Sequence, residues 1–414
     1  MIKHPRCSMH EPELKRPGLR SLADTRGGQS GIIADMMFFR FFSATCLTML
    51  ALGLLALAPA QAAEMPGLYR AAVPVLSRAD VSERQRAFRS ALEEVLVKLT
   101  GRADIAQQPG LAEALRNAQP YVESFSYRSV TTGGEAAAIE STGGAQDRMQ
   151  LLLETDFYRS QIETLLESAR VPLWPPNRPD TLLWLAVQEA SGQRSLASIG
   201  GPGSTWLTQL QEVAQHKGLP LLLPVLDLED RRALRPELLW SFDLDALRSA
   251  SARYQVESIL AVRLYSLPGG QVFARAVHLF RDQVLELDAV EVPAQGFLED
   301  SIAMVAAELS AHYAILLSGV STSASAQNAA QLVVSGIDSV ADYARLLDYL
   351  NRLTVVQAVQ VREVAGGRIV LELATGGQLR QLIEVLALDR RILPLAQAER
   401  DNLQLNLQYQ WQAD

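Results

Sequence analysis

Cysteine is nearly absent from this sequence of 414 residues, and both cysteines lie within the first 62 residues. A protein that starts after that point has neither a disulfide bond nor a thiolate nucleophile. Histidine is also scarce there: His216, His278 and His312 remain, and none has a second histidine or a cysteine at metal-ligand spacing. This excludes a structural zinc site and argues against a catalytic one, so we expect no metal and no other cofactor.

The usual catalytic sequence motifs are missing as well. We find neither G-x-S-x-G nor Ser-x-x-Lys, which would mark a serine nucleophile. No P-loop or G-x-G-x-x-G follows a predicted strand. The glycine-rich run at 200–204 reads GGPGS, where Pro202 removes a backbone amide that a bound phosphate would need. These absences favour a protein that is not an enzyme.

Long hydrophobic runs are limited to one, residues 41–58, which follows Arg40 and ends at Pro59. A basic start, an apolar core and small residues at the end are the order of a secretory signal peptide. We predict cleavage after Ala62, with Ala60 and Ala62 as the small residues that signal peptidase reads. The predicted location is therefore the periplasm. The alternative is an uncleaved segment that anchors the protein in the inner membrane, because about 18 apolar residues can span a bilayer.

The segment before this run, residues 1–35, is rich in Pro, Gly and Arg and has no apolar period. Such a composition is typical of an unstructured chain. Two interpretations remain open. Either translation starts at Met36 or Met37 and the segment is not native, or the protein carries a disordered N-terminal extension.

Lysine and net positive charge are also lacking in the predicted mature chain. Seven of the 38 Lys/Arg and four of the 46 Asp/Glu lie in residues 1–62, which leaves 31 basic and 42 acidic residues and a net charge of −11. Lys98 and Lys217 are the remaining lysines. An acidic protein is a poor candidate for binding nucleic acid or anionic lipid. We therefore expect no nucleic-acid partner, and contact with the membrane only through an uncleaved signal segment.

What is present is a series of short α and β patterns separated by Pro-, Gly- and Ser-rich stretches. The patterns predict a multidomain α+β and α/β protein, in which small mixed-sheet units of βαββα type flank a larger α/β middle unit. The predicted divisions are an extension (1–35), a signal peptide (36–62), an N-terminal α+β domain (63–171), a middle α/β domain (180–317), a linker (318–331) and a C-terminal βαββα domain (332–414).

Several local patterns support this division. Ser82 and Gln85 fit a capping box at the start of a helix whose apolar stripe contains Phe88 and Leu92. Residues 133–144 predict a mobile hairpin loop, and the prolines of 172–179 predict a stiff linker around Trp174. The other patterns that we interpret are a buried strand at 219–227, a long helix striped by Leu298 to Leu316, a helix capped by Ser339 with a stripe that starts at Val340, and a tight turn at Gly366 and Gly367.

The run LYRAAVPVLSRADVSERQRAFRSALEEVLVKLTGRADI, residues 68–105, resembles the start of a known family. It is similar to uncharacterised exported proteobacterial proteins that share the domain of unknown function numbered 2066. The segments SASARY at 249–254 and ILAVRL at 259–264 also fit that family. The resemblance implies an envelope location in a Gram-negative bacterium, and it implies no activity and no catalytic residues.

One acidic cluster is the candidate ligand site. Asp227, Glu229 and Asp230 follow the predicted buried strand at 219–227. In α/β sheets, ligands bind beyond the carboxyl ends of the strands, so these residues could hold a divalent cation or a cationic ligand. The competing interpretation is a solvated turn, whose charge is neutralised by the arginines nearby in sequence, Arg231, Arg232 and Arg235.

Three hypotheses about function follow. The favoured one is an exported envelope protein that binds another envelope protein or scaffolds an assembly without catalysis, because units in series with linkers and no catalytic set are typical of such proteins. The first alternative is a hydrolase or metal-dependent enzyme that uses the Asp227 cluster. The second is a binder of a small molecule or cell-wall fragment in the tryptophan-rich middle domain, where Trp174, Trp184, Trp206 and Trp240 are more often core and lid residues.

Overall fold

The computed structural model describes residues 65–132, 148–317, 329–375, 379–389, 391–395 and 407–412. These ranges contain three β-sheets with helices packed on them, which confirms the predicted multidomain α+β fold class. The signal segment with Ala60 and Ala62, the hairpin loop at 133–144 and most of the linker at 318–331 lie outside the described residues. The domain boundaries that we place between the sheets stay predictions.

The strands alternate with helices in the order expected for βαββα and α/β units. The strands are β1 (Arg70–Val75), β2 (Val122–Thr132), β3 (Arg148–Phe157), β4 (Thr181–Gln188), β5 (Arg194–Leu196), β6 (Leu221–Leu222), β7 (Ser258–Ser266), β8 (Gln271–Phe280), β9 (Gln283–Pro293), β10 (Ala329–Ser335), β11 (Val356–Ala365), β12 (Arg368–Thr375), β13 (Ile392–Pro394) and β14 (Leu407–Trp411). The helices are α1 (Val81–Thr100), α2 (Ala112–Arg116), α3 (Arg159–Ser168), α4 (Ser204–Lys217), α5 (Leu228–Ala233), α6 (Pro236–Ser241), α7 (Leu244–Ser251), α8 (Ala294–Tyr313), α9 (Val340–Arg352) and α10 (Leu379–Ala387).

The N-terminal sheet has the order β1-β3-β2, and both of its pairings are antiparallel. Helix α1 packs on it, and the predicted stripe residues Phe88 and Leu92 are buried. The predicted capping box is wrong. The N-cap is Asp80, whose carboxylate accepts the backbone N–H groups of Ser82 and Glu83. An Asp at this position satisfies two helix-end donors and places a negative charge at the positive end of the helix dipole.

The middle sheet has the order β5-β4-β7-β8-β9, with β4 parallel to β7 and to the short strand β6. Strand β4 is buried along nearly its whole length, as its continuous apolar run predicts. Side chains of α4 and α8 form one apolar layer on this sheet, and side chains of α6 and α7 form the layer on its other face. The middle unit therefore has three layers.

One prediction about the middle unit is wrong, and one strand was not predicted. Residues 219–227 do not form one buried strand: only Leu221–Leu222 pairs with β4. Pro220 and Pro224 have no N–H to donate to a sheet, which explains the early end of the strand. Strand β9 is absent from the sequence interpretation, although Leu285, Leu287 and Ala289 alternate with polar residues. Most of β9 is exposed because it lies at the edge of the sheet.

The C-terminal sheet has the order β11-β12-β10-β14-β13, with β10 parallel to β14 and its other pairs antiparallel. Its first three strands repeat the N-terminal arrangement, since β10-β12-β11 matches β1-β3-β2 in order and direction. The predicted Ser339 cap is confirmed, because its hydroxyl accepts the N–H of Asp342. Val340 is wrong as a stripe residue: it is 84% exposed, and Tyr349 is buried instead.

The segment at 172–179 is not an exposed linker. Leu173 exchanges both backbone hydrogen bonds with Ile315, at 2.7 and 2.8 Å, and the N–H of Trp174 donates to the carbonyl of Leu99 at 2.7 Å. Trp174 is fully buried. The segment is therefore a packed strap between the end of α1 and the chain that leaves α8. Its prolines keep it extended while its apolar side chains hold it in the core.

Candidate functional site

The three residues of the predicted acidic cluster lie close together at the start of α5. Their contacts stabilise the local fold. Asp227 is the N-cap of α5, and its Oδ1 accepts the N–H groups of Glu229 and Asp230, each at 3.0 Å. Asp230 is fully buried and accepts the N–H of Leu226 at 2.8 Å and the hydroxyl of Tyr254 at 2.5 Å. Glu229 is the exposed member, with 72% of its side chain accessible. Two of the three carboxylates thus stabilise local structure.

One arginine neutralises all three carboxylates. The Nη1 atom of Arg253 lies 2.8 Å from Asp227, 3.0 Å from Asp230 and 3.6 Å from Glu229. Its hydrogen bond lowers the pKa of Asp227 to about 2. Burial, and then the contact with Asp230, raise the pKa of Tyr254 to about 12. The predicted neutralising residues Arg231, Arg232 and Arg235 are therefore replaced by a residue that follows the cluster by more than 20 positions.

This geometry does not favour the metal or hydrolase interpretation. A divalent cation would have to displace a guanidinium that already occupies the convergence point of the three side chains. Within the ranges that the structure describes, no group of three or more His, Asp and Glu side chains is arranged to hold a metal ion. The cluster can cap a helix and fix the chain after β6, and the pKa of Asp227 is lowered by Arg253, which is opposite to the shift that general acid catalysis requires.

The tryptophans do not form a shared ligand cage. Trp174 and Trp184 are fully buried, and the indole N–H of Trp184 donates to Ser251 at 2.9 Å. Trp240 is half-buried, with the guanidinium carbons of Arg194 and Arg263 at 4.5 and 5.7 Å from its ring centroid. The prediction that Trp174 and Trp184 are core residues is confirmed.

Two polar groups that sequence reasoning missed lie where the N-terminal and middle units meet. The first is the fully buried Arg178. It donates to the carbonyls of Pro175 (2.9 Å), Lys98 (2.8 Å), Trp174 (3.0 Å) and Gly218, and its guanidinium carbon lies 3.9 Å from the Trp174 ring centroid. Burial lowers its pKa to about 9, so it stays charged at neutral pH. Arg178 therefore ties the ends of α1 and α4 to the strap.

The second missed group contains Glu94, Lys98 and His216. The carboxylate of Glu94 lies 2.6 Å from Lys98 Nζ and 3.0 Å from His216 Nδ1. Burial opposes the ionisation of Glu94, but hydrogen bonds from His216 and Lys98 prevail and lower its pKa. Spacing on α1 predicts the Glu94–Lys98 pair, although as a solvated pair rather than this largely buried one. No sequence signal links His216, because it comes from α4.

An exposed surface lies on the helix-covered side of the N-terminal sheet, next to the start of α1, where Phe125 packs against Phe88 with ring centroids 5.3 Å apart. Phe125 is 46% exposed and Met149 is 70% exposed. The guanidinium carbons of Arg84 and Arg78 lie 5.8 and 5.9 Å from the ring centroids of Phe125 and Tyr127. We define the β2 rim as Arg78, Arg84, Phe125, Tyr127 and Met149. Among the residues that the structure describes, neither Arg78 nor Arg84 forms an ion pair with a carboxylate.

Strand β2 also presents an open edge next to this surface. It is the outer strand of the N-terminal sheet and has 11 residues, and no described strand pairs with its far side. The chain nearby carries two more exposed apolar residues, Leu76 (94%) and Val81 (53%). Exposed apolar groups next to a free strand edge are typical of a protein interaction site.

Residues 62–175 match a family model described as a domain of unknown function (DUF8605). The match covers β1 to β3, α1 to α3 and the β2 rim, and it shows that this part of the chain is an uncharacterised domain. It does not extend to the rest of the chain, and the resemblance to exported proteobacterial proteins stays a prediction. The curated proteins contain no match to this chain.

Of the helices in the described ranges, none has the length and apolar character that a membrane span requires.

Proposed function

We propose that this protein is an exported envelope factor that binds another envelope protein, without catalysis, at the β2 rim and the open edge of β2. The observation that carries the proposal is the combination of exposed Phe125 and Met149 with two arginines that have no carboxylate partner among the described residues. The partner segment that fits is an extended peptide that carries acidic and apolar side chains. Its backbone would pair with β2, and its acidic groups would reach Arg78 and Arg84.

Charge supports this choice of partner. The predicted mature chain is acidic overall, so a local pair of arginines without a carboxylate partner in the described part of the chain would select an acidic segment over a basic one. Backbone pairing along β2 supplies affinity that is independent of sequence, and the rim adds specificity through aromatic and cationic contacts. The location in the envelope rests on the predicted signal peptide, and the matched domain begins at residue 62, where we predict cleavage.

Photo-crosslinking in the native host tests the proposal. A photoreactive phenylalanine analogue at Ser126, on exposed β2, should give one discrete adduct, and the variant Phe125→Ser with Arg84→Glu should lose it. The matched control is Val340→Ser with Arg352→Glu, which changes an exposed apolar residue and an exposed arginine on α9. An adduct that survives the rim variant, or that the control variant also loses, contradicts the proposal.

A peptide pair tests the chemistry of the partner. An alternating Val-Glu peptide should bind the full chain, and binding should weaken as salt rises, whereas the Val-Lys counterpart should not bind. Equal binding of both peptides would mean that the arginines have no role.

For the location, the intact mass of the protein exported by its host should correspond to a start at Ala63 or Glu64. A mass that retains 41–58 would indicate an anchor.

A further inference from the structure

Three arginines of the middle unit gather around two aromatic rings. The guanidinium carbons of Arg194 and Arg263 lie 4.5 and 5.7 Å from the ring centroid of Trp240. Those of Arg263 and Arg275 lie 5.2 and 5.5 Å from the ring centroid of Phe242. Arg263 therefore shares one ring with each of the other two arginines. Sequence patterns single out Trp240 but not the arginines, because these come from three different strands.

Two of these positive charges face each other across the sheet. Arg263 on β7 and Arg275 on β8 are directly paired residues of antiparallel strands, and like charges in that position destabilise a sheet. The carboxylates of Glu286 and Asp288 on β9 both pair with Arg275. Burial, and then the charge of Arg275, lower the pKa of Arg263; Asp288 opposes this shift and Arg194 adds to it. A bound anion would relieve this concentration of positive charge.

Arg194 and Arg263 are not ion-paired with any carboxylate in the ranges that the structure describes. Arg194 donates from Nε to the side-chain oxygen of Gln188 at 2.9 Å. Arg263 donates from Nη1 to the carbonyl of Trp240 at 2.7 Å. Both acceptors are neutral, and each guanidinium has five N–H donors. Both arginines therefore keep donors and an uncompensated charge for a ligand.

This group lies at an open part of the middle sheet. Arg263 is paired with Ala186, in the half of β4 and β7 that leads to their carboxyl ends, where ligands bind in α/β sheets. Phe273 is two residues from Arg275 and therefore on the same face of β8. Phe273 and its partner Val290 are 38% and 67% exposed. Helices α6 and α7 thus leave this end of the sheet accessible.

We propose that Arg194 and Arg263 bind a phosphate monoester at this end of the middle sheet, with Arg275 adding positive charge. A carboxylate is planar and matches a single guanidinium with two parallel hydrogen bonds. A phosphate monoester has three acceptor oxygens and a charge of about −1.5 to −2 at pH 7, so it can accept from two guanidinium groups that approach from different strands. The chemistry fits either a soluble phosphate ester or a lipid headgroup.

The test is a titration of the ¹⁵N-labelled full chain with phenyl phosphate, followed through the indole N–H signals. The chain has five tryptophans, and the variant Trp240→Phe identifies the relevant signal by its loss. Phenyl phosphate should shift the Trp240 signal at a lower concentration than benzoate, which carries the same ring and a single planar anion. No shift with phenyl phosphate, or an equal response to benzoate, overturns the proposal.

Matched arginine variants separate the site from general electrostatics. Arg194→Gln changes an exposed residue and should weaken phenyl phosphate binding about ten-fold, which corresponds to roughly 1.4 kcal/mol. Arg248→Gln is the control and should leave binding unchanged. It removes the same charge from α7, where Arg248 donates to the carbonyl of Arg281, just past the far end of β8, at 3.2 Å. Equal effects of the two variants contradict the site.

Vesicles distinguish the two sources of the phosphate. The full chain is mixed with phosphatidylcholine vesicles, with or without phosphatidic acid, whose headgroup is a phosphate monoester. Co-flotation that requires phosphatidic acid and is lost in Arg194→Gln indicates a lipid headgroup. Binding of phenyl phosphate without co-flotation indicates a soluble ester. Co-flotation that Arg194→Gln does not change overturns a lipid ligand at this site.

Discussion

The two βαββα units of this molecule share a strand order and pairing directions, but their outer edges differ. On the side of β10 that faces away from β12 the chain adds β14, and β13 lies beyond it, whereas no described strand pairs with the corresponding outer side of β1. Pro74 in β1 removes one donor from that edge. The added strand also brings Trp411, which together with Tyr349 lines a cavity of about 140 Å³ in this unit. The shared topology therefore determines where helices pack, and the strand added beside β10 determines which unit has the cavity. Because β2 and its counterpart β11 are both outer strands, the rim depends on the side chains around β2 and not on the strand order.

The two units are also connected to the rest of the molecule in different ways. The N-terminal unit meets α4 through the buried Arg178 and through Glu94 with Lys98 and His216. The C-terminal unit meets the middle unit through a more exposed pair, Arg281 with Glu384 at 2.8 Å. Buried apolar side chains of both βαββα units nevertheless belong to one continuous cluster.

The largest effect is expected from truncating one buried apolar side chain in α1 and one in α9. Phe88→Ala in α1 should cost about 3–5 kcal/mol of unfolding free energy, and Leu346→Ala in α9 about 2–5 kcal/mol, because both sites are buried. Chemical denaturation followed by circular dichroism measures both. If the continuous cluster couples the units, each variant shifts one common transition. A separate early transition in Leu346→Ala alone would instead support independent folding of the predicted 332–414 domain.

The second largest effect is expected at the buried Arg178, and it can be compared with the effect at the more exposed Arg281–Glu384 pair. Arg178→Met leaves four carbonyls of the strap and the helix ends without a donor, and should cost about 3 kcal/mol or more. Glu384→Gln breaks a partly solvated pair, and should cost less than about 1 kcal/mol. The measurement is the midpoint of urea unfolding. Equal losses would mean that burial does not distinguish the two connections.

Sequence patterns predicted the features that depend on neighbouring residues. The Ser339 cap, the turn at Gly366 and Gly367 and the continuous burial of β4 are confirmed, because each follows from local propensity or period. The Asp80 cap was missed because the nearby Ser82 fits a capping pattern equally well. Local chemistry can offer two caps two residues apart, and the loop that precedes the helix decides between them.

Features that depend on distant residues could not be predicted in this way. Arg253 follows Asp227 by 26 positions, and Arg178 reaches the carbonyl of Lys98 across 80 positions. The prolines of 172–179 predict a linker because proline content indicates stiffness, but it says nothing about burial. The cavity near Trp411 needs four separated segments, and no spacing rule connects them. Only the acidic cluster was found from the sequence, and its neutralisation by Arg253 was not.

We expect the stability of the middle sheet to depend on pH through one buried histidine. His278 is fully buried on β8, and its Nε2 lies 3.0 Å from Ser258 Oγ. Burial lowers its pKa from 6.5 to about 4. The unfolded chain therefore binds a proton between these values and the folded chain does not. Stability should fall as the pH drops from 6.5 to 4, by up to roughly 3 kcal/mol.

His278→Gln, which keeps a hydrogen-bonding side chain but cannot titrate, should flatten that dependence. His312→Gln, on the partly exposed end of α8, is the control and should leave it intact. Unfolding free energies at several pH values between 4 and 7 measure both variants. A wild-type stability that does not change over this interval would mean that His278 is protonated in the folded protein.

The smallest effect is expected at the acidic cluster, and it determines which region carries function. Asp230 is unsuitable for the test, because its buried carboxylate holds Leu226 and Tyr254 and its loss would disturb folding. Asp227→Asn with Glu229→Gln is the cleaner change, since Asn is also a good N-cap and Glu229 is exposed. This double variant should complement a deletion strain and keep the Ser126 adduct, whereas Phe125→Ser with Arg84→Glu should do neither. If the acidic variant is folded and abundant but fails to complement, function lies at the end of β6 in the middle unit, and the comparison of the two βαββα units does not explain it.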